Sequence, residues 1–151
     1  KGAIFVSSLA VARAMLDRGT EGGMPPWAVE KAKKQWDLMC ESYRRIKEAG
    51  AVLAVGTDHI GSPSMKLGRN AIELELLVKH CDFTPMEAIV AATKHGAAAC
   101  FMEEETGTIE PGKLADILIV DGDPLADIGI LQELERIKMV MLEGRVEIDR
   151  R

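Results

Sequence analysis

The chain has 151 residues, and its 24 acidic residues against 19 basic ones give a formal net charge of −5. This length predicts about one domain with a real core, and the hydrophobic fraction of 47% and charged fraction of 28% are typical of a soluble globular protein. The acidic balance without a basic block argues against a nucleic-acid partner, and no apolar run approaches the roughly 18 residues of a membrane span.

The N-terminal half of the sequence predicts alternating strands and helices. Residues 3–11 are apolar and rich in β-branched and small side chains, which predicts a buried strand. A long helix is predicted over residues 27–48, where apolar residues recur at steps of three and four, and Gly50 is suited to end it. Residues 51–55 are apolar at every position, which is typical of a strand covered on both faces of a parallel sheet. The order strand, helix, strand favours an α/β fold.

Two helices with capping signals are predicted after a loop over residues 59–69. Asn70 and Glu73 have the spacing of a capping box, in which each side chain satisfies an unpaired amide of the other residue. Thr84 and Glu87 repeat this spacing, with a proline at the first helical position. We expect the second helix to continue, rich in alanine, to about residue 101.

The pattern changes to short strands and turns from residue 107 onward. The predicted elements are strands at 115–120, 137–142 and 145–148, a helical turn at 128–134, and a two-residue hairpin at 143–144. We therefore expect an α/β part at residues 1–106 and a small β part at residues 107–151.

Asp58 is the best candidate for chemistry. It follows Gly56 and Thr57 at the carboxyl end of the apolar strand, where barrel enzymes build their active sites. A carboxylate there can meet a cation or a catalytic water without being buried unpaired. The alternative is a loop aspartate that caps a turn, and position alone does not choose between the two.

The histidines and cysteines show no metal-binding spacing. His59, His80 and His95 form neither an HxH nor an HExxH pattern. His59, next to Asp58, is either a substrate contact or a loop histidine, whereas His80 suits a helix C-terminus and His95 a structural role. The three cysteines lack a CxxC pair, which predicts reduced thiols and a cytoplasmic location: Cys40, Cys81 and Cys100.

Six segments, taken together and in order, identify a protein family more specifically than any of these residues does alone. They are AGAVLAVGTD at 49–58, GRNAIELELL at 68–77, TPMEAIVAAT at 84–93, GTIEPGKLAD at 107–116, VDGDPL at 120–125 and VMLEGRV at 140–146. This run resembles the C-terminal half of the amidohydrolase superfamily. The resemblance is closest to its imidazolonepropionase-like and Xaa-Pro dipeptidase (prolidase-like) branch, and it covers about residues 45–148.

The resemblance implies a metal-dependent (β/α)8 TIM barrel with a small β-sandwich domain shared by both chain ends. Residues 1–106 would form the last barrel strands and helices, and residues 107–151 the C-terminal share of the sandwich. Asp58 would be the aspartate at the end of the eighth barrel strand, where it contacts the metal. It would take a proton from the metal-activated water that attacks the amide carbonyl and then deliver a proton to the leaving amine.

The same resemblance implies a divalent metal cofactor, zinc in one or two copies. Catalytic zinc needs about three protein ligands, and the family's other ligands lie outside this chain. The chain starts at Lys1 without a methionine, as either a processed product or a piece of a longer protein would. The resemblance implies the second of these: the C-terminal portion of a longer enzyme, inactive without its N-terminal portion and able to form a homo-oligomer. The expected substrate is a small amide, dipeptide-like or cyclic amide molecule. The alternative is a non-catalytic α/β module or assembly partner without its own metal site.

Overall fold

Two short parallel strands and the helices between them begin the fold. In the computed structural model, which describes residues 2–58 and 68–151, β1 (Ile4–Ser7) pairs in parallel with β2 (Val52–Val55). The connection between them contains α1 (Leu9–Arg18) and α2 (Pro26–Glu48). This order confirms the predicted α/β class.

The two strands differ in burial. Leu53 and Ala54 in β2 are buried, whereas Phe5 and Val6 in β1 are 45% and 54% exposed. In the described part of the chain, α2, α4 and α5 pack against β2, whereas α5 is the one helix that packs appreciably against β1. The prediction of a buried first strand is therefore wrong for Phe5 and Val6.

The long helix α2 supplies one side of the main core. It begins at Pro26, one residue before the predicted start, and ends at Glu48 as predicted. The core that α2 covers contains these buried residues: Leu9, Ala10, Cys40, Tyr43, Leu53, Leu76, Leu77, Cys81 and Phe83.

In the described part of the chain, no helix is both long and apolar enough to cross a bilayer.

The two predicted capping boxes have opposite outcomes. Helix α3 (Ile72–His80) has Ala71 at its N-cap, and no side chain of the described residues caps it, so the predicted box of Asn70 and Glu73 is wrong. Helix α4 (Pro85–Ala92) has the predicted box, since the Thr84 hydroxyl accepts from the Glu87 amide and the Glu87 carboxylate accepts from the Thr84 amide.

The predicted single helix from 84 to about 101 is broken at Thr93. Helix α5 (Lys94–Ala99) starts after Thr93, whose φ of −107° and ψ of −83° are not helical. The Thr93 hydroxyl donates to the Ile89 carbonyl, a bond that tends to bend helices. A Cβ added at Gly107 would lie 2.6 Å from Ala97 Cβ and 3.0 Å from the Thr93 carbonyl oxygen, so backbone packs closely over this break.

The C-terminal part is a three-stranded antiparallel sheet. A 3₁₀ turn (Ile128–Gln132) precedes the hairpin and packs against α3, and Ile128 is buried in a cluster with Leu74 and Ala88. The predicted hairpin at 143–144 is confirmed, since Glu143 and Gly144 both have positive φ, as a type I′ turn requires. The strands, in their order within the sheet, are β3 (Ile117–Val120), β4 (Ile137–Leu142) and β5 (Arg145–Asp149).

Candidate functional site

The carboxyl ends of β1 and β2 lie at one edge of the parallel pair. Ser7 is opposite Val55, and the Gly56 amide donates to the Ser7 carbonyl oxygen at 3.1 Å, which extends the pairing one residue past β2. A Cβ at Gly56 would lie 2.7 Å from Val6 Cγ1 and 2.9 Å from the Ser7 carbonyl oxygen. Glycine at position 56 therefore allows the two strand ends to approach this closely.

Asp58 lies two residues beyond this close contact. Its φ is +49°, in the left-handed region that aspartate adopts more readily than most side chains. The residue is exposed, so its carboxylate is open to solvent at the mouth of the strand pair. The predicted location, at the carboxyl end of a parallel strand, agrees with the structure, and the residue's chemical role is treated below as a proposal.

Two of the three histidines, His80 and His95, lie on helices, and neither belongs to a metal-binding group among the described residues. His59 falls outside the described residues. His95 on α5 has its Nδ1 2.9 Å from the Leu53 carbonyl oxygen, which connects α5 to β2. His80, at the end of α3, packs edge-on against Trp36, and its pKa is lowered by burial and by the nearby Arg13 charge.

Within residues 2–58 and 68–151, no group of three or more His, Cys, Asp or Glu side chains could hold a metal ion. The exposed Asp58 carboxylate suits one ligand position, because carboxylate oxygens are ordinary ligands of zinc and of harder divalent cations. A catalytic site would need further ligands from outside the described residues.

A buried side-chain network at the start of α1 was not predicted from the sequence. The carboxylate of Glu73 is fully buried, and its oxygens accept from the amides of Leu9 at 2.8 Å and Ala10 at 2.6 Å. The Tyr43 hydroxyl accepts from the Ser8 amide at 3.1 Å. Three consecutive amides at the helix N-terminus are thus satisfied by distant side chains, whereas the Ser8 hydroxyl caps no amide of the described residues.

The charge of Glu73 suits the positive end of the α1 dipole. Burial raises the pKa of its carboxyl group, while the Leu9 and Ala10 amides oppose that rise by favouring the charged form. The nearby Ser7 hydroxyl also lowers the pKa of Glu73. Its buried oxygen has no hydrogen-bond partner of good geometry among the described residues. One sequence signal could have located this residue, since Glu73 shares a helical face with the buried Leu76 and Leu77.

Comparisons of sequence identify related proteins. A model of the amidohydrolase family matches residues 12–146. Ochratoxinase of Aspergillus niger is 30% identical over 148 residues, which cover 97% of this chain and 29% of that protein. Imidazolonepropionase of Symbiobacterium thermophilum is 33% identical over 106 residues, covering 70% of this chain and 25% of that protein.

Solved structures match along almost the whole chain. The crystal structure of A. niger ochratoxinase has a TM-score of 0.84 at 27% identity and matches 99% of this chain and 33% of its own. A putative prolidase from Bifidobacterium longum has a TM-score of 0.85 at 30% identity, covering 95% of this chain and 35% of that one. A Xaa-Pro dipeptidase with bound methionine in its active site has a TM-score of 0.82 at 27% identity, and the match covers 97% of this chain and 35% of that one. The chain thus spans 29% of the curated ochratoxinase and 33–35% of these structural neighbours.

Proposed function

Because this chain belongs to the amidohydrolase family, we propose that it is the C-terminal portion of a metal-dependent hydrolase that cleaves a C–N bond. In this proposal residues 1–106 supply the last strands and helices of a (β/α)8 barrel. Residues 107–151 supply the C-terminal share of a small β-sandwich. The parallel β1–β2 pair and the antiparallel β3–β5 sheet support this division.

The observation that carries the proposal is the position of Asp58. It follows a buried parallel strand, at the edge where barrel enzymes place their reacting groups, and its carboxylate faces solvent. In the proposed reaction, Asp58 accepts a proton from the water that attacks the carbonyl carbon. As the C–N bond breaks, the same carboxyl group gives a proton to the leaving nitrogen, so one side chain acts as base and then as acid.

Asp58 is also the residue that we propose as a metal ligand in this chain. A divalent cation, zinc in the proposal, would supply Lewis acidity and lower the pKa of a bound water. The remaining ligands would come from the rest of the protein, since the described residues offer no cluster of three.

The proposed substrate is a small amide, either dipeptide-like or cyclic. The names of the relatives support this range, because they include a Xaa-Pro dipeptidase and imidazolonepropionases. His59, adjacent to Asp58 in the sequence, is proposed as a substrate contact. The proposed compartment is the cytoplasm, in agreement with the three cysteines being free thiols.

Replacing Asp58 tests the proposal. In the metal-loaded full-length protein, Asp58→Asn should lower kcat on an amide substrate by about 10² to 10⁴, because the amide side chain cannot accept the proton. The matched control is Asp82→Asn, which makes the same change at another exposed aspartate with positive φ, +59°. Asp82 forms an ion pair with Arg44 at 3.1 Å beyond the end of α3, so this control should keep normal turnover.

Two outcomes would overturn the proposal. Near-normal turnover by Asp58→Asn, with unchanged metal content, would remove Asp58 from the reaction. An absence of hydrolysis by the metal-loaded wild-type protein, across dipeptides and cyclic amides, would favour the non-catalytic module instead.

A further inference from the structure

The N-terminus of α1 is held by side chains from two other helices. Glu73 of α3 accepts from the amides of Leu9 and Ala10, and Tyr43 of α2 accepts from the amide of Ser8. Each acceptor is 35 or more residues away from its donor in the sequence. These bonds fix the turn that joins β1 to α1 in position relative to α2 and α3.

This turn is in direct contact with the strand end that leads to Asp58. Ser7, the last residue of β1, is one position before Ser8, and its carbonyl accepts from the Gly56 amide. A Cβ at Gly56 would lie under 3.0 Å from both β1 atoms nearest to it, so there is little free space between the two strand ends. A shift of the β1–α1 turn must therefore displace Gly56, and Asp58 is only two residues further on.

We propose that Glu73 is a positioning residue for the reaction at Asp58, acting through the amides of α1 and the contact between Ser7 and Gly56. The inference rests on the proposed function, since it presumes that Asp58 is the proton-transfer group. Glu73 touches no reacting atom in this scheme. Its two carboxylate oxygens set where the end of β1 lies, and the end of β1 sets where Asp58 leaves the sheet.

The carboxylate form of Glu73 is well matched to this task. Each of its two oxygens accepts from one backbone amide. Both hydrogen bonds can form only if both atoms at the end of the side chain are acceptors. Glutamine keeps the shape of the side chain but presents an NH₂ group to one of the amides. Glu73→Gln therefore breaks one of the two bonds while it adds almost no change in volume.

The experiment uses the metal-loaded full-length protein and compares Glu73→Gln with Glu75→Gln. Glu75 is on the same helix, but its partners are Lys79 and Gln132, away from the start of α1. For Glu73→Gln we expect kcat to fall about 10- to 100-fold, as small displacements of reacting groups do, while KM changes by less than about twofold. For Glu75→Gln we expect both constants to stay within about twofold of wild type. All rates are measured at a temperature where circular dichroism shows each variant to be fully folded.

Tyr43→Phe keeps the inference testable if Glu73→Gln does not fold. It removes only the hydroxyl that accepts from the Ser8 amide, so the ring still fills the core. As for Glu73→Gln, we expect an effect on kcat but not on KM: kcat should fall about two- to fivefold, and KM should stay unchanged.

The possible outcomes separate the two proposals. If Asp58→Asn abolishes turnover while Glu73→Gln, or Tyr43→Phe in its place, keeps wild-type kcat in the folded state, then Glu73 has only a structural role and the inference is wrong. If Asp58→Asn retains turnover, the proposed function itself fails. A fall in kcat for the variants of Glu73 and Tyr43, with KM unchanged and with Glu75→Gln like the wild type, supports the inference when Asp58→Asn also loses turnover.

Discussion

Cys40 and Cys81 are distant in the sequence but belong to the same buried core. Their side chains are 3% and 0% exposed, whereas Cys100 is exposed at the end of α5. Burial raises the pKa of both core thiols, and the two thiols also influence each other's ionisation. A thiol with a raised pKa carries little thiolate at neutral pH, so these two side chains act as small apolar residues.

Thiol labelling tests this difference in environment. In native protein at pH 8, iodoacetamide should modify Cys100 rapidly and leave Cys40 and Cys81 unmodified over the same time. After unfolding in guanidinium chloride, all three should react, and mass spectrometry of peptides identifies each site. Cys100→Ser is the control, and it should remove the fast native reaction. Rapid native labelling of Cys81 would contradict the core described here.

Glu73 shows how far sequence reasoning extends at the residue scale. Its spacing from Asn70 predicts a local capping box, and it does satisfy helix amides, but those of α1 rather than α3. The partners are 63 and 64 positions away, so no local pattern could identify them. Asp58 could be located because its signal is local: an apolar strand, a glycine and a carboxylate in succession.

At the scale of elements, the start of α4 depends on one carboxylate oxygen. Glu87 Oε2 accepts from the Thr84 amide at 2.7 Å, the Thr84 hydroxyl at 2.9 Å and the Lys47 ammonium at 2.7 Å. These contacts join α4 to the last turn of α2. The pKa of Glu87 lies below its ordinary value of 4.5, mainly because of the hydrogen bond from the Lys47 side chain and, to a smaller extent, because of the one from the Thr84 amide.

Replacing Glu87 with glutamine tests this cap and its pH dependence. Because Glu87 is partly exposed, we expect Glu87→Gln to lower the free energy of unfolding at pH 7 by about 0.5 to 1 kcal/mol. A lowered pKa in the folded state means that the charged form stabilises the fold at pH values above 4.5. This advantage over the glutamine variant should shrink as the pH falls through the lowered pKa.

Urea denaturation between pH 3 and pH 7 measures the effect. The matched control is Glu30→Gln, whose exposed carboxylate is 3.9 Å from Lys34, so that variant should differ little from wild type at any pH. A stability loss for Glu87→Gln that is the same at pH 3 and pH 7 would contradict the ionic part of the account.

Most elements with local signals were predicted well, the box of Asn70 and Glu73 being an exception, whereas features decided by tertiary contacts were not predicted. The periodicity of α2, the Thr84 cap and the 143–144 hairpin each depend on residues within a few positions of one another. At the break after Thr93, the close approach of Gly107 to Thr93 and Ala97 is a tertiary contact that an alanine-rich helical pattern does not reveal. The exposure of Phe5 and Val6 likewise depends on which helices cover each strand.

At the scale of the whole molecule, length alone predicts a single domain, but the comparisons change that interpretation. The chain matches ochratoxinase and the prolidase-type structures along nearly all of its own length, but along only 29–35% of theirs. Among the described residues, the parallel strands lie before residue 106 and the antiparallel strands after it, which supports the proposed division there. In the proposal, the reaction belongs to a larger protein, to which this chain would contribute Asp58 and the Glu73 network.

The most direct test of the account measures amide hydrolysis by the full-length protein before and after metal removal. The substrates are Xaa-Pro dipeptides and cyclic amides, and elemental analysis follows the metal content through dialysis against a chelator. The account predicts that turnover is lost together with the metal and returns when a stoichiometric divalent cation is added. Unchanged hydrolysis by protein shown to be free of metal would contradict it.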